Sequence, residues 1–143
     1  MKIDGGCHCG HITYEAAIDP EMVAICHCTD CQTLSGSAFR TVAPSKEGSF
    51  RLLSGELKVY VKIAESRPQR SQAFCPECGT PIYTTSVGDG PKVHGIRFGT
   101  IRLRHSLAPV SQVLTRPAQP RFPEIKSTAG LSASLGFSTR TSP

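Results

Sequence analysis

Seven cysteines fall in three tight clusters: Cys7-His8-Cys9, Cys26-His27-Cys28-Thr29-Asp30-Cys31 and Cys75-Pro76-Glu77-Cys78. Few features constrain a small chain more. Thiols packed this closely in sequence bind a metal, oxidise in pairs or sit buried and inert. Zinc takes four protein ligands at a closed structural site and three at a catalytic one. Seven thiols divide into four and three, so the simplest reading is one closed zinc site and one open one.

The rest of the composition fits a metal-braced β protein. The chain has 143 residues, enough for one domain. A chain of this size buries roughly 70% of its unfolded surface. Its apolar content is only 38%, it has no Trp, and 13 Gly and 11 Pro imply many turns. Metal crosslinks would help to hold such a chain together. An odd number of cysteines leaves no fully paired disulfide framework within the chain. The segment Met1 to Gly6 has no apolar run, so no secretory leader is expected. Nor does any stretch approach the length of a membrane span. The cytoplasm is therefore the expected compartment, and there clustered cysteines more often bind metal than form disulfides. The formal charge of +5 counts the thiols as neutral. Seven thiolates on two zinc ions would remove three of those charges, which weakens a nucleic-acid reading based on basicity alone.

Hydrophobic patterning predicts a mainly β unit over residues 1–125. Strands are expected at His11 to Ile18, Met22 to Cys26, Ser37 to Ala43, Ser49 to Leu53 and Leu57 to Ile63. Further strands are expected at Arg70 to Phe74, Pro81 to Thr85, Lys92 to Phe98 and Val110 to Thr115. Ser54-Gly55-Glu56 reads as a hairpin turn between two of them. Leu57, Val59, Val61 and Ile63 alternate with polar or amphipathic residues, as on a half-buried strand. One short helix is expected at Thr29 to Ser35, with Thr29 as N-cap in a capping box with Gln32. Gly36 would follow its end. Cys31 would lie in the first turn, where free N–H groups favour a thiolate. Residues 126–143 are rich in Ser, Thr, Gly and Ala and are expected to form a mobile tail.

Cys75-Pro-Glu-Cys78-Gly79 is a strong metal signal. Two thiolates two residues apart reach one ion where the chain turns sharply, Pro76 presets that turn, and Gly79 leaves it freely. Cys7 and Cys9 supply a natural second half of a four-thiolate site. Cys26, Cys28 and Cys31 place three thiolates within six residues and leave a fourth position open. Either water or a substrate thiolate fills that position, or one of His8, His27, His94 or His105 closes it. In an extended segment His27 points away from its neighbours and fills a polar surface position. Asp30 reads as a first-turn charge. Arg40, Arg97, Arg102 and Arg104 are candidates for an anion-reading surface.

Several motifs occur together and in order: Gly6-Cys-His-Cys-Gly10, Cys26 to Cys31 followed by Ser35-Gly-Ser-Ala-Phe39, Phe50-Arg-Leu-Leu-Ser-Gly-Glu56, Phe74-Cys-Pro-Glu-Cys-Gly-Thr-Pro-Ile-Tyr83 and Arg97-Phe-Gly-Thr100. From about residue 3 to about residue 125 the chain resembles the glutathione-dependent formaldehyde-activating enzyme family, also called the centromere protein V/GFA family. The resemblance implies an Mss4-like, mainly β zinc-binding fold of short antiparallel sheets with one short helix. It implies two zinc ions per chain. Cys7, Cys9, Cys75 and Cys78 would hold the structural ion, and Cys26, Cys28 and Cys31 the catalytic one. It also implies a carbon–sulfur lyase activity that joins formaldehyde to glutathione as co-substrate, giving S-hydroxymethylglutathione.

Two other functions compete on residues alone. In one, both metal sites are structural and basic residues contact nucleic acid or a protein; few aromatics and no dense Lys/Arg cluster speak against it. In the other, Cys26, Cys28 and Cys31 serve redox chemistry or metal buffering. The family resemblance favours the enzyme acting on a small thiol and aldehyde.

Overall fold

The computed structural model describes residues 1–64 and 67–121. The expected tail from Lys126, and the last residues of the expected 1–125 unit, lie outside the described residues. The strands are β1 (Lys2–Gly6), β2 (Thr13–Ala17), β3 (Ala24–Cys26), β4 (Arg40–Pro44) and β5 (Arg51–Ser54). They continue with β6 (Lys58–Ala64), β7 (Arg67–Phe74), β8 (Pro81–Ser86), β9 (Gly95–Arg97) and β10 (Ser111–Val113). The single α-helix among the described residues, α1, spans Thr29–Ser35. The architecture is mainly β with one short helix, in keeping with the Mss4-like arrangement.

The strands form two sheets. The smaller has the order β1-β2-β5, and the larger β10-β3-β4-β9-β8-β7-β6. Every strand pairing is antiparallel except β10 with β3. In β1 and β2 the buried residues alternate, with Ile3, Tyr14 and Ala16 facing inward. They meet Ala43, Ile82 and Ile96 of the larger sheet in one apolar core. Fully burying an aliphatic side chain of this size stabilises the fold by roughly 1.5–3 kcal/mol. The Tyr14 hydroxyl lies in this core 2.7 Å from Thr100 Oγ1. Because Thr100 Oγ1 donates to the Arg97 carbonyl at 2.7 Å, Tyr14 is the donor to Thr100. The chain thus ties the small sheet to the turn that follows β9.

Two strand expectations need correction. Ser54-Gly55-Glu56 does not close a hairpin. β5 pairs with β2 in one sheet and β6 with β7 in the other, so the turn carries the chain between sheets. Thr13 Oγ1 and Ser54 Oγ, 2.7 Å apart, hold β5 to β2 at this point. The alternating residues of β6 are not half-buried either: Val59 is 50% and Ile63 79% exposed. β6 is the last strand of its sheet, and its apolar side chains are left open to solvent.

The helix occupies the predicted residues, and Gly36 ends it in the left-handed conformation at φ 63°. Its cap differs. Cys28, not Thr29, is the N-cap, and its Sγ accepts from the Cys31 N–H at 3.3 Å. The Gln32 side chain does not close a capping box. Its Nε2 donates to the carbonyls of His27 and Pro117, both at 2.8 Å. Gln32 Oε1 accepts from Gln119 Nε2 at 2.8 Å. Gln32 therefore fastens the 117–119 segment to the start of the helix.

Candidate metal centres and the arginine pair

Cys7 and Cys9 sit in the loop that leaves β1, and Cys75 and Cys78 in the loop that leaves β7. Each loop is a tight knuckle. In the first, Gly10 N–H donates to the Cys7 carbonyl at 3.3 Å and Ile12 N–H to Cys7 Sγ at 3.2 Å. In the second, Gly79 N–H donates to the Cys75 carbonyl at 2.9 Å, and Gly79 adopts φ 75°, open to glycine at little cost. The two knuckles meet, and the four Sγ atoms lie within 4.8 Å of one another. Cys7 and Cys9 sulfurs are 3.5 Å apart and those of Cys9 and Cys75 3.8 Å. A tetrahedral zinc with Zn–S bonds of about 2.3 Å would space its sulfurs about 3.8 Å apart. All seven cysteines are free thiols, and the donor set fits zinc.

The second group gathers Cys26 from the end of β3, Cys28 from the helix cap and Cys31 from the first turn of α1. Their Sγ atoms also lie within 4.8 Å of one another. No histidine or carboxylate among the described residues joins either group. His27 is fully buried, a correction to the surface position expected of it; its Nε2 lies 2.8 Å from Gln112 Oε1. His94 packs instead in an aromatic cluster, 4.7 Å from Phe50 and 4.6 Å from Tyr83 between ring centroids. His8 and His105 are exposed.

The electrostatics of both groups fit a cation better than free thiols. Hydrogen bonds from the Thr80 hydroxyl and backbone N–H hold Cys78 down at about 5. Cys9 is pushed up to about 12: the His11 N–H favours its thiolate, but desolvation and the thiols of Cys7, Cys78 and Cys75 outweigh it. In the second group burial opposes the Cys28 thiolate, yet hydrogen bonds from the Cys31 backbone and from the thiols of Cys31 and Cys26 hold its pKa below the usual thiol range. Burial, then the thiolates of Cys28 and Cys26, push Cys31 up to about 12. The first-turn N–H thus serves Cys28 rather than Cys31. Thiols crowded in this way ionise together only when a cation compensates their charge, and a coordinated thiol is deprotonated outright.

Sheet register places two arginines beside the second group. Cys26 pairs with Arg40 across β3 and β4, and Val42 pairs with Arg97 across β4 and β9. Directly opposed residues, and residues two apart on one strand, share a face. Cys26, Arg40 and Arg97 therefore project from one face of the large sheet. Ala43 and Ile96, which alternate with them, enter the core on the other. Arg40 is 6% and Arg97 7% exposed. Burial lowers the Arg40 pKa, while charge on Cys31, Cys28 and Cys26 acts to restore it. Burial and then the charge of Arg40 hold Arg97 down at about 9, against the opposing pull of Cys31 and Cys26. The other two arginines of the expected anion-reading set lie elsewhere. Arg102 is exposed and paired with Asp4 at 2.6 Å, and Arg104 Nη1 donates to the Ile101 carbonyl at 3.2 Å. Asp30 lies in the first turn of α1, as expected, and forms an ion pair with Lys62 that ties the helix to β6. The burial of Arg40 and Arg97 has no local signal in the sequence. It follows from sheet order.

Fold and site define a small two-sheet β protein built around two thiol groups of metal-binding geometry. A family model for the glutathione-dependent formaldehyde-activating enzyme matches residues 2–117, and the chain belongs to that family. Among solved structures, the crystal structure of a Rhodobacter sphaeroides protein is similar in fold. It has a TM-score of 0.58 and 17% identity, with 76% of this chain and 98% of that chain covered. No curated protein matches the chain. No helix among the described residues is long and apolar enough to cross a membrane.

Proposed function

We propose that this protein is a zinc-dependent carbon–sulfur lyase-type enzyme that joins the thiol of glutathione to formaldehyde. Cys26, Cys28 and Cys31 hold the catalytic zinc, and Cys7, Cys9, Cys75 and Cys78 hold the structural one. The observation that carries the reading is a group of three thiols with no fourth protein donor among the described residues, in a chain of this family. A zinc ion bound there supplies Lewis acidity that favours the thiolate form of an incoming thiol.

The protein's own residues set the conditions. β3, the Cys28 cap and the first turn of α1 present the three sulfurs to one point. Gln32 fastens the neighbouring 117–119 segment and so steadies the helix start. Arg40 and Arg97 supply a positive field on the same face, which favours thiolate over thiol. In the reaction the thiol gives up its proton and its sulfur attacks the carbonyl carbon. A C–S bond forms as the C–O π bond breaks, and the carbonyl oxygen takes up one proton. The product is the S-hydroxymethyl adduct, with no change of oxidation state overall.

The test is X-ray absorption at the zinc edge on purified, zinc-loaded protein, with and without glutathione. Two ions per chain are expected, with one averaging three protein sulfurs and gaining a fourth on addition of the thiol. Four protein ligands at both ions, with no response to glutathione, would sink the reading. Adduct formation followed by NMR with labelled formaldehyde provides the second readout.

A further inference from the structure

Arg40, Arg97 and Lys58 line a cavity of about 440 Å³ whose other walls are largely apolar, among them Leu34, Tyr60 and Phe74. Formaldehyde needs no such space, whereas cavities of roughly 300–1,000 Å³ are ordinary small-molecule sites. The cavity lies beside the three-thiol group. Leu34 stands one helical turn beyond Cys31, on the same side of α1. Tyr60 and Gln72 are direct partners across β6 and β7, as are Gln72 and Thr84 across β7 and β8. Thr84 in turn pairs with Gly95, two residues before Arg97, so this row shares the arginine face.

The two guanidiniums are under-used. Neither has a carboxylate partner among the described residues. Arg97 Nη2 donates to Gln72 Oε1 at 2.6 Å, and Gln72 Nε2 donates to Thr84 Oγ1 at 3.1 Å, which fixes the amide and with it the guanidinium. Arg97 Nε is buried with no hydrogen-bond partner among the described residues. Buried cations are ordinarily paired. The thiol group supplies part of the compensation. Three thiolates around a divalent ion carry one net negative charge, which leaves one of the two guanidinium charges unopposed. A planar fork of N–H donors at the end of an apolar cavity matches a carboxylate.

We propose that this cavity is a carboxylate site that takes a small monocarboxylic acid with an apolar body. The carboxylate is held by Arg40 and Arg97, and the body lies against Leu34, Tyr60 and Phe74. The site thereby selects a carboxylate-bearing reactant for the neighbouring thiol group. Only that last role rests on the proposed function, because binding itself requires no chemistry at the cysteines.

The test is calorimetric titration of the zinc-loaded full chain with 3-phenylpropionate, 3-phenylpropan-1-ol and acetate. The acid is expected to bind at least tenfold more tightly than either the alcohol, which lacks the charge, or acetate, which lacks the body. Arg97→Gln and Arg40→Gln are expected to weaken the acid at least tenfold. Leu34→Trp, at a partly exposed helix position, should fill the cavity and do the same without disturbing a buried charge. Equal affinity for acid and alcohol, no binding of the acid, or undiminished binding by Leu34→Trp would overturn the proposal. Displacement of bound acid by glutathione would assign the native carboxylate to the thiol reactant. Retention of the acid would assign the site to a carboxylate-bearing aldehyde larger than formaldehyde, and both results uphold the site. Adduct formation from formaldehyde and glutathione, measured on the same preparation, separates the two readings. If the adduct forms but the acid does not bind, the carboxylate site fails and the proposed function stands.

Discussion

Cys26 and Arg40 stand directly opposite each other across the β3–β4 ladder. The pairing sets a buried guanidinium beside the first of three clustered thiols. Replacing Arg40 with Gln should therefore disfavour the thiolates and raise the pH at which the second group takes up metal. A neighbouring charge moves a pKa by about one unit or more. We expect the midpoint of cobalt loading, followed by the thiolate–cobalt charge-transfer band, to rise by about one pH unit. The group of Cys7, Cys9, Cys75 and Cys78 should load as in the wild type.

The two thiol groups should differ in what they do for the fold. Cys75 is fully buried and belongs to the apolar core, and its knuckle joins the end of β7 to the loop after β1. Cys75→Ser should cost several kcal/mol or leave the chain unfolded, since binding at a closed zinc site is largely folding free energy. Cys31→Ser should leave a folded protein with one zinc ion, inactive toward glutathione and formaldehyde. Zinc content and urea denaturation check both. Equal loss of fold in the two variants would contradict the division of labour.

Burial of Tyr14 raises its phenol pKa to about 12. The unfolded phenol ionises near 10. Below about pH 10 both states hold the proton and the term is constant. Between about 10 and 12 the unfolded chain loses it first, so stability falls as pH rises, by on the order of 2–3 kcal/mol in all. Denaturant melts of wild type and Tyr14→Phe across this range test the sign, and the variant should lack that part of the alkaline slope.

Ile63 and Ile96 both alternate with other residues on β-strands, yet their burial is opposite. Ile63 lies on the exposed edge strand and Ile96 is fully buried. Ile63→Ala is expected to change stability by no more than about 0.5 kcal/mol. Ile96→Ala should cost about 2–5 kcal/mol through lost burial and the cavity left behind. Chemical denaturation of both variants decides.

Much of the fold was legible because its signals are local. The helix Thr29–Ser35 is marked by its cap region and by Gly36, and the knuckle at Cys75 to Gly79 by Pro and Gly at fixed offsets. The cap itself was misread. A thiol, not the Thr29 hydroxyl, accepts the N–H of Cys31, and sulfur at an N-cap carries no strong statistical signature. The hairpin expected at Ser54-Gly55-Glu56 failed for a different reason. A glycine turn reverses a chain in the same way whether the next strand returns to its neighbour or leaves for another sheet.

Which atoms can ligate, and how far apart they lie along the chain, can be read from the order of the residues alone. That order also determined the alternation that assigns residues to opposite faces of a strand. Tertiary structure decided what covers each face. It brought the knuckles of Cys7 and Cys9 to those of Cys75 and Cys78, left the apolar residues of β6 open at a sheet edge, and buried Arg40 and Arg97 beside Cys26. The physical reason is that a strand's period specifies orientation but not neighbours. Sheet order and register, set by the packing of the whole core, turn an orientation into an environment.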